Sequence, residues 1–141
     1  MTVMQKHYES FNKASRRKGE TNDCSVIALA AVCAISYDKA HKLMYQAGRR
    51  NRDGAYTWQT VQAIKSLGYD VEVVKTKHKT FGQVEKAAAK GKMPGAYLLC
   101  GVRHIAGMRR GELCDWTSRS TGRSGRNKLE CLLKVIKRRS A

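Results

Sequence analysis

The sequence is poor in proline, in acidic residues and in long apolar runs. It has one Pro in 141 residues, which excludes a proline-rich linker between domains. No segment approaches the roughly 18 consecutive apolar residues of a membrane-spanning helix, and residues 1–20 contain no apolar core of a secretory signal. These absences predict a soluble, intracellular protein with no membrane partner.

Cysteine is present, but not in the pattern of a disulfide framework or a zinc ribbon. The five residues are odd in number and none belongs to a C-x-x-C pair; they are Cys24, Cys33, Cys100, Cys114 and Cys131. We therefore predict a reduced, cytoplasmic chain without a metal or another cofactor. A zinc site formed by Cys100, His104 and Cys114 is an alternative, although these residues lack a recognised ligand spacing.

Acidic residues are few relative to basic ones. Lys and Arg number 28 against 11 Asp and Glu, so the formal net charge is +17. A surface of this charge attracts polyanions such as DNA and RNA. At the same time 42% of the residues are hydrophobic, which is enough for a globular core and excludes a disordered packaging peptide. The length of 141 residues favours a single domain.

Hydrophobic periodicity predicts helices in the first part of the chain. Residues 1–20 are polar and basic and predict a loosely held N-terminal arm, whereas residues 21–141 form the predicted domain. The segment 24–35 is apolar on all sides, which is typical of a helix buried within a domain. Three further helices are predicted, from Ser36 to Gly48, from Thr57 to Gly68 and from Thr80 to Gly91.

The rest of the chain is typical of strands and loops. Residues 71–75 predict a strand, and three short apolar runs between Gly95 and Ile136 predict an antiparallel sheet. Residues 117–128 contain no apolar residue and predict a long, exposed, basic loop. The predicted fold class is therefore α+β, with helices mainly in the first two-thirds of the chain.

Cys24 has the surroundings expected of a nucleophilic thiol. It starts the apolar segment directly after Asn22 and Asp23, which stand where a helix N-cap belongs. A sulfur at a helix start lies near the positive end of the helix dipole and near unpaired backbone N–H groups, which favour the thiolate. The Asn22 amide is a candidate donor to a developing oxyanion. The other four cysteines have apolar neighbours and are predicted to be inert.

A nucleophilic cysteine needs a base and an orienting group, and a predicted hairpin supplies both. If Arg110 and Gly111 form a two-residue turn, Ala106 lies opposite Asp115. Side chains alternate along a strand, so His104 shares the face of Ala106, one diagonal step from Asp115. A hydrogen bond can bridge this step. We therefore predict that His104 and Asp115 meet near the cysteine.

Two segments resemble a known family. TNDCSVIALA around Cys24 and RHIAGMRRGELCDW around His104 and Asp115 resemble papain-like cysteine peptidases of the double-glycine, bacteriocin-processing type, most closely small phage-encoded proteins; the resemblance covers about residues 20–117. It implies a papain-like fold, in which a helix bearing the cysteine packs on an antiparallel sheet bearing the histidine and the acid. It further implies that Cys24 is the nucleophile, His104 the base and Asp115 the group that orients the ring.

The chain departs from the family pattern at the oxyanion hole. Papain-like enzymes usually place a Gln a few residues before the cysteine, but Lys18 stands there. Asn22 or the Cys24 backbone N–H is the expected substitute. The family also implies a protein or peptide substrate and, for a phage-encoded member, the cytoplasm of the bacterial host.

The clustered charge supports a second interpretation, a catalytically impaired papain-like scaffold that binds nucleic acid or a host factor. Phosphate contacts by Lys and Arg bind DNA or RNA without reading sequence. Tyr56 and Trp58 follow a basic loop and are candidates to stack on exposed bases, although Trp58 is equally compatible with a place in the core. The candidate contacts are Arg49, Arg50, Arg52, Arg119, Arg123 and Arg126.

Overall fold

The computed structural model describes residues 2–115 and 124–138, which contain five α-helices and five β-strands. The helices are α1 (Val3–Arg17), α2 (Cys24–Cys33), α3 (Tyr37–Gln46), α4 (Thr57–Ser66) and α5 (Phe81–Ala87), the last continued by a wider π-helical turn over Ala88–Lys92. The strands are β1 (Tyr69–Val73), β2 (Ala96–Cys100), β3 (Ile105–Arg109), β4 (Glu112–Cys114) and β5 (Cys131–Lys137). In these ranges no single helix is long and apolar enough to cross a membrane. Only α2 and α3 taken together have that length and apolarity, and the chain bends by 116° between them.

The described strands form one antiparallel sheet with the order β1-β5-β2-β3-β4. β5 lies between β1 and β2, so the last described strand of the chain is an interior strand of the sheet. β3 and β4 form a hairpin at one edge, and its register pairs Met108 with Leu113. The predicted α+β class and the antiparallel sheet in the second half of the chain are confirmed.

Helices cover both faces of the sheet. On one face α2 packs across β3 and β2, with α1, α3 and α4 around it. Every residue of α2 from Ser25 to Cys33 is buried, as its all-round apolar sequence predicts. On the other face, Phe81 and Val84 of α5 join a second apolar core. Alternation along β2 divides its side chains, so that Leu98 belongs to the first core and Leu99 to the second.

α2 lies very close to the sheet at Gly107 of β3. A Cβ atom at this position would lie 2.9 Å from the Ala28 carbonyl oxygen and 3.0 Å from the Ala31 Cβ. Both distances are shorter than an ordinary van der Waals contact. Glycine therefore lets the helix that begins at Cys24 lie this close to the hairpin.

The prediction that residues 1–20 form a loosely held N-terminal arm is wrong. Residues 3–17 form α1, which begins with a capping box between Thr2 and Gln5. Met4 and Phe11 are buried on one side of this helix, which contacts β4, α2 and α3. The apolar residues are few and widely spaced in a basic segment, but helical geometry brings them to one face.

The observed helix starts agree well with those predicted from the sequence. Ser36 and Thr80 cap α3 and α5, because each hydroxyl accepts the backbone N–H three residues further on. Thr57 is the first residue of α4 rather than its cap. The strand predicted at 71–75 begins earlier, at Tyr69, because the chain enters the sheet almost directly after α4.

The predicted basic loop at 117–128 is described only in part. Its residues 117–123 lie outside the described part of the chain. Ser124–Arg126 forms a short 3₁₀ turn, and Arg126 is exposed. Lys128 pairs with Thr80 in an isolated β-bridge, which ties this segment to the start of α5.

Candidate active site

Three elements meet at the N-terminus of α2. Cys24 is the first residue of α2 and is partly exposed. His104 immediately precedes β3, and Asp115 immediately follows β4. Because β3 and β4 form a hairpin, both positions lie at the same end of it. The fold thus brings together residues as distant in sequence as positions 24 and 115.

The hairpin turn sets the relative position of His104 and Asp115. Arg110 and Gly111 occupy the turn with φ values of 52° and 80°, the left-handed combination of a two-residue hairpin loop. The register that follows from this turn is the predicted one. His104 Nε2 and Asp115 Oδ2 are 2.5 Å apart. The predicted hydrogen bond between the two side chains is therefore confirmed.

Cys24 and His104 line the same two concavities, and Cys24 is one of the groups that raise the pKa of the ring. Since Asp115 engages Nε2, Nδ1 is the ring nitrogen that can exchange a proton with the sulfur. Burial disfavours the charged ring, but the interactions of the ring with Asp115 and Cys24 outweigh this effect and raise the pKa of His104 to about 9. The ring is consequently protonated at neutral pH. Phe81 stacks against it, with the ring centroids 6.0 Å apart.

Two concavities meet at Cys24 and His104. The smaller, of about 200 Å³, lies between α1, the start of α2 and Asp115. The larger, of about 730 Å³, is a cleft whose lining includes residues 53–57 and 101–105. An extended substrate in the larger cleft therefore has access to the sulfur, while the smaller cavity reaches the pair formed by His104 and Asp115.

The other cysteines have different surroundings. Burial raises the pKa of Cys33 to about 11 and the pKa values of Cys100 and Cys114 to about 12. These three thiols stay protonated at neutral pH, as expected of inert residues. Cys131 lies partly buried in β5. In the described part of the chain no group of three or more His, Cys, Asp and Glu residues is arranged to hold a metal ion, so the zinc alternative has no ligand set there.

Asn22 lines both concavities, and its amide already has one partner. Nδ2 donates to the Arg52 carbonyl oxygen over 3.2 Å. An amide nitrogen carries two hydrogens, so this bond leaves one for another acceptor. At the start of α2, the Asp23 side chain accepts the Tyr37 hydroxyl over 2.7 Å and makes no capping bond to the helix backbone. The Cys24 and Ser25 backbone N–H groups find no acceptor among the described residues.

A buried ion pair beside the site was missed by the sequence analysis. Glu20 accepts two hydrogen bonds of 3.1 Å from Arg49, and His41 Nε2 lies 2.5 Å from the same carboxylate. Burial opposes the charge of Glu20, but hydrogen bonds from Arg49, His41 and the Arg52 N–H lower its pKa to about 2. The sequence offers one signal for this ion pair, the acidic Glu20 at the end of a basic run. This signal does not identify the partner of Glu20.

The prediction that Arg49 contacts nucleic acid is wrong. It is only 3% exposed, and its guanidinium donates to Glu20 and to the Thr21 carbonyl oxygen. A long charged side chain in a basic loop is usually solvated, but here an opposite charge across the fold draws it inside. Arg49 therefore holds its loop against the segment before α2.

The remaining predicted contacts are exposed or lie outside the described residues. Exposed are Arg50, Arg52 and Arg126, whereas Arg119 and Arg123 fall in the part of the chain that is not described. Tyr56 and Trp58 are 72% and 60% exposed, so the alternative that places Trp58 in the core is wrong. Their rings are stacked, with centroids 6.5 Å apart and planes 10° apart.

The arrangement has the elements of nucleophilic catalysis. The partly exposed sulfur of Cys24 shares two concavities with the imidazole of His104, and a carboxylate is hydrogen-bonded to that ring. Comparison with protein-family models, curated proteins and solved structures finds no match to this chain.

Proposed function

We propose that the protein is a papain-like cysteine hydrolase, a peptidase that acts on a protein or peptide. The observation that carries this proposal is the His104 ring, which is hydrogen-bonded to Asp115 and lines the same two concavities as Cys24. A helix that bears the thiol, packed on an antiparallel sheet that bears the base and the acid, also supports the papain-like assignment. We propose the cytoplasm of a phage-infected bacterium as the setting; five free cysteines are compatible with this reducing compartment.

The reaction proceeds in two halves. The Cys24 thiolate attacks the amide carbonyl carbon, so a C–S bond forms and an electron pair moves to the oxygen. As this intermediate collapses, the C–N bond breaks and His104 gives its proton to the leaving amine. Neutral His104 then takes a proton from water, whose oxygen attacks the thioester, and the C–S bond breaks to restore the thiolate beside the imidazolium. Asp115 keeps the ring oriented in both halves.

The test is the alkylation of Cys24 by iodoacetamide as a function of pH. Protonated His104 favours the thiolate, so we expect Cys24 to react at least about tenfold faster at about pH 6 than Cys131, the other partly exposed cysteine. This advantage should be largest below neutral pH, where an ordinary thiol is protonated, and should vanish at about pH 9, where ordinary thiols are ionised as well. Peptide mass spectrometry after timed labelling gives both rates. Equal rates below neutral pH would show that the proposal is wrong.

A second candidate function is the binding of single-stranded nucleic acid. The exposed, stacked rings of Tyr56 and Trp58 favour it, since such a pair offers a face on which bases stack. Arg50 and Arg52, both exposed, stand in the preceding loop, where their charges can meet phosphates. A papain-like scaffold without catalytic activity is sufficient for this function.

For this second candidate we expect an affinity for single-stranded oligonucleotides that falls linearly with the logarithm of salt concentration. Trp58→Ala removes one stacking face and should weaken binding by about tenfold at fixed salt. Val73→Ala, which truncates an exposed apolar residue on β1, is the control and should bind as the unmodified protein does. Weak, salt-independent binding, measured by fluorescence anisotropy, would contradict this candidate.

A further inference from the structure

A buried carboxylate organises the backbone in front of the nucleophile. Glu20 precedes α2 by four positions, and its side chain is 2% exposed. Oε1 accepts the Arg52 backbone N–H over 2.7 Å and one Arg49 N–H over 3.1 Å. Oε2 accepts a second Arg49 N–H over 3.1 Å and lies 2.5 Å from His41 Nε2. Glu20 therefore fixes the backbone at Arg52 against the segment that leads into α2.

The backbone at Arg52 in turn holds Asn22. Its carbonyl oxygen accepts from Asn22 Nδ2 over 3.2 Å and from the Thr21 hydroxyl over 3.5 Å. Arg52 and Asn22 have φ values of 66° and 53°, a left-handed conformation that residues other than glycine seldom adopt. Such a conformation persists only where surrounding contacts hold it. Because one hydrogen bond joins Asn22 to Arg52, we infer that these tertiary contacts set the direction of the Asn22 amide.

We propose that Glu20 is a positioning residue for catalysis. By fixing the Arg52 carbonyl, it directs the second N–H of the Asn22 amide into the cleft beside the attacking sulfur. There this N–H donates to the substrate oxygen that gains negative charge. The inference rests on the proposed function, because only a nucleophilic Cys24 generates that oxyanion. Lys18 stands where the family has its Gln, so Asn22 supplies the side-chain donor from a different position.

Two reagents that react with the same sulfur separate this role from a structural one. Iodoacetamide forms a C–S bond and releases iodide without an oxyanion. p-Nitrophenyl acetate forms a C–S bond, places negative charge on the carbonyl oxygen and then releases p-nitrophenolate as the C–O bond breaks. The ratio of acylation rate to alkylation rate at Cys24 therefore reports oxyanion stabilisation, whereas a loss of structure or of thiolate lowers both rates together.

Asn22→Gly is the primary variant, because glycine keeps the left-handed backbone and removes the amide. We expect the acylation-to-alkylation ratio at Cys24 to fall on the order of 100-fold. Ala34→Gly is the matched control; Ala34 has a φ of 54° at the other end of α2, and this variant should keep the ratio of the unmodified protein. A ratio for Asn22→Gly within about threefold of the unmodified protein would overturn the proposal.

Glu20→Gln tests the positioning step. The glutamine side chain keeps one oxygen for the Arg52 N–H but cannot accept both N–H donors of Arg49. We therefore expect the acylation-to-alkylation ratio to fall less than in Asn22→Gly. If Asn22→Gly lowers the ratio and Glu20→Gln does not, the role of Glu20 is rejected. Should Glu20→Gln not fold, Arg49→Lys takes its place under the same expectation. If Cys24 of the unmodified protein reacts with neither reagent faster than Cys131, the proposed function fails and this inference fails with it.

Discussion

Replacing His104 with Ala is expected to slow the alkylation of Cys24 by iodoacetamide about 100-fold at about pH 6. The reason is the proton balance of the site, since the imidazolium beside the sulfur favours the thiolate and Ala offers no charge. An ordinary thiol, with a pKa of about 8.5, is almost entirely protonated at this pH. The rate of Cys24 in the variant should therefore follow that of glutathione in the same buffers, measured by peptide mass spectrometry.

His78→Ala is the control for this variant. His78 is half-buried in the segment before α5 and lines neither concavity at Cys24. Its removal should leave the reaction of Cys24 with iodoacetamide as in the unmodified protein. Circular dichroism establishes that both variants are folded. If His104→Ala and His78→Ala react alike, His104 does not activate the thiol.

Asp115→Asn tests the other side of the ring. Burial disfavours charge on His104, and Asp115 is the chief group that raises the pKa of the ring against it. Without the carboxylate charge, the pKa of His104 should fall below its value of about 9. With less imidazolium beside the sulfur, the advantage of Cys24 over Cys131 at about pH 6 should shrink. An unchanged advantage would mean that Asp115 does not set the charge of the ring.

Replacing Arg49 with Met is expected to lower the free energy of unfolding by about 3–5 kcal/mol at neutral pH. Arg49 and Glu20 are each 2% exposed at the side chain, so the variant leaves a buried carboxylate without its main donor. In the unmodified protein the stabilisation from Glu20 is complete above its ordinary pKa of 4.5 and is lost as the pH falls through about 2. Burial raises this pKa in the variant, so its acid unfolding should begin at higher pH. Urea titration followed by circular dichroism measures both effects.

Two further variants make the result specific to the buried pair. Asp70→Asn breaks an exposed pair, since Lys65 and Asp70 lie 4.0 Å apart with side chains 49% and 46% exposed, and it should cost less than about 1 kcal/mol. Combining Glu20→Gln with Arg49→Met removes both charges, so it should be less destabilising than the sum of the single variants. Additive losses would show that the two side chains do not stabilise each other.

Local patterns predicted much of the candidate site. The N-terminus of α2 at Cys24 follows from an apolar run that begins directly after two potential capping residues. The hydrogen bond between His104 and Asp115 follows from a two-residue turn, because turn length sets hairpin register and register sets which side chains are neighbours. Each of these inferences needs only residues close together in the sequence.

Other features could not be predicted in this way. Met4 and Phe11 become core residues only because β4 and α2 lie beside α1. Arg49 is buried only because Glu20, from a different segment, faces it across the fold. The sequence pattern in each case is that of a solvated basic surface, and the partner that changes its environment lies far along the chain.

The sequence by itself thus determined the α+β class, the helix that begins at Cys24 and the hairpin that pairs His104 with Asp115, because backbone periodicity, capping and turn geometry are local properties. Only the tertiary structure decided that this hairpin meets the N-terminus of α2, with Gly107 allowing the close approach. It also joined Glu20 to the backbone at Arg52, and that backbone to Asn22, by hydrogen bonds. Such contacts join segments distant in sequence, and they form only when burial of the shared core brings those segments together.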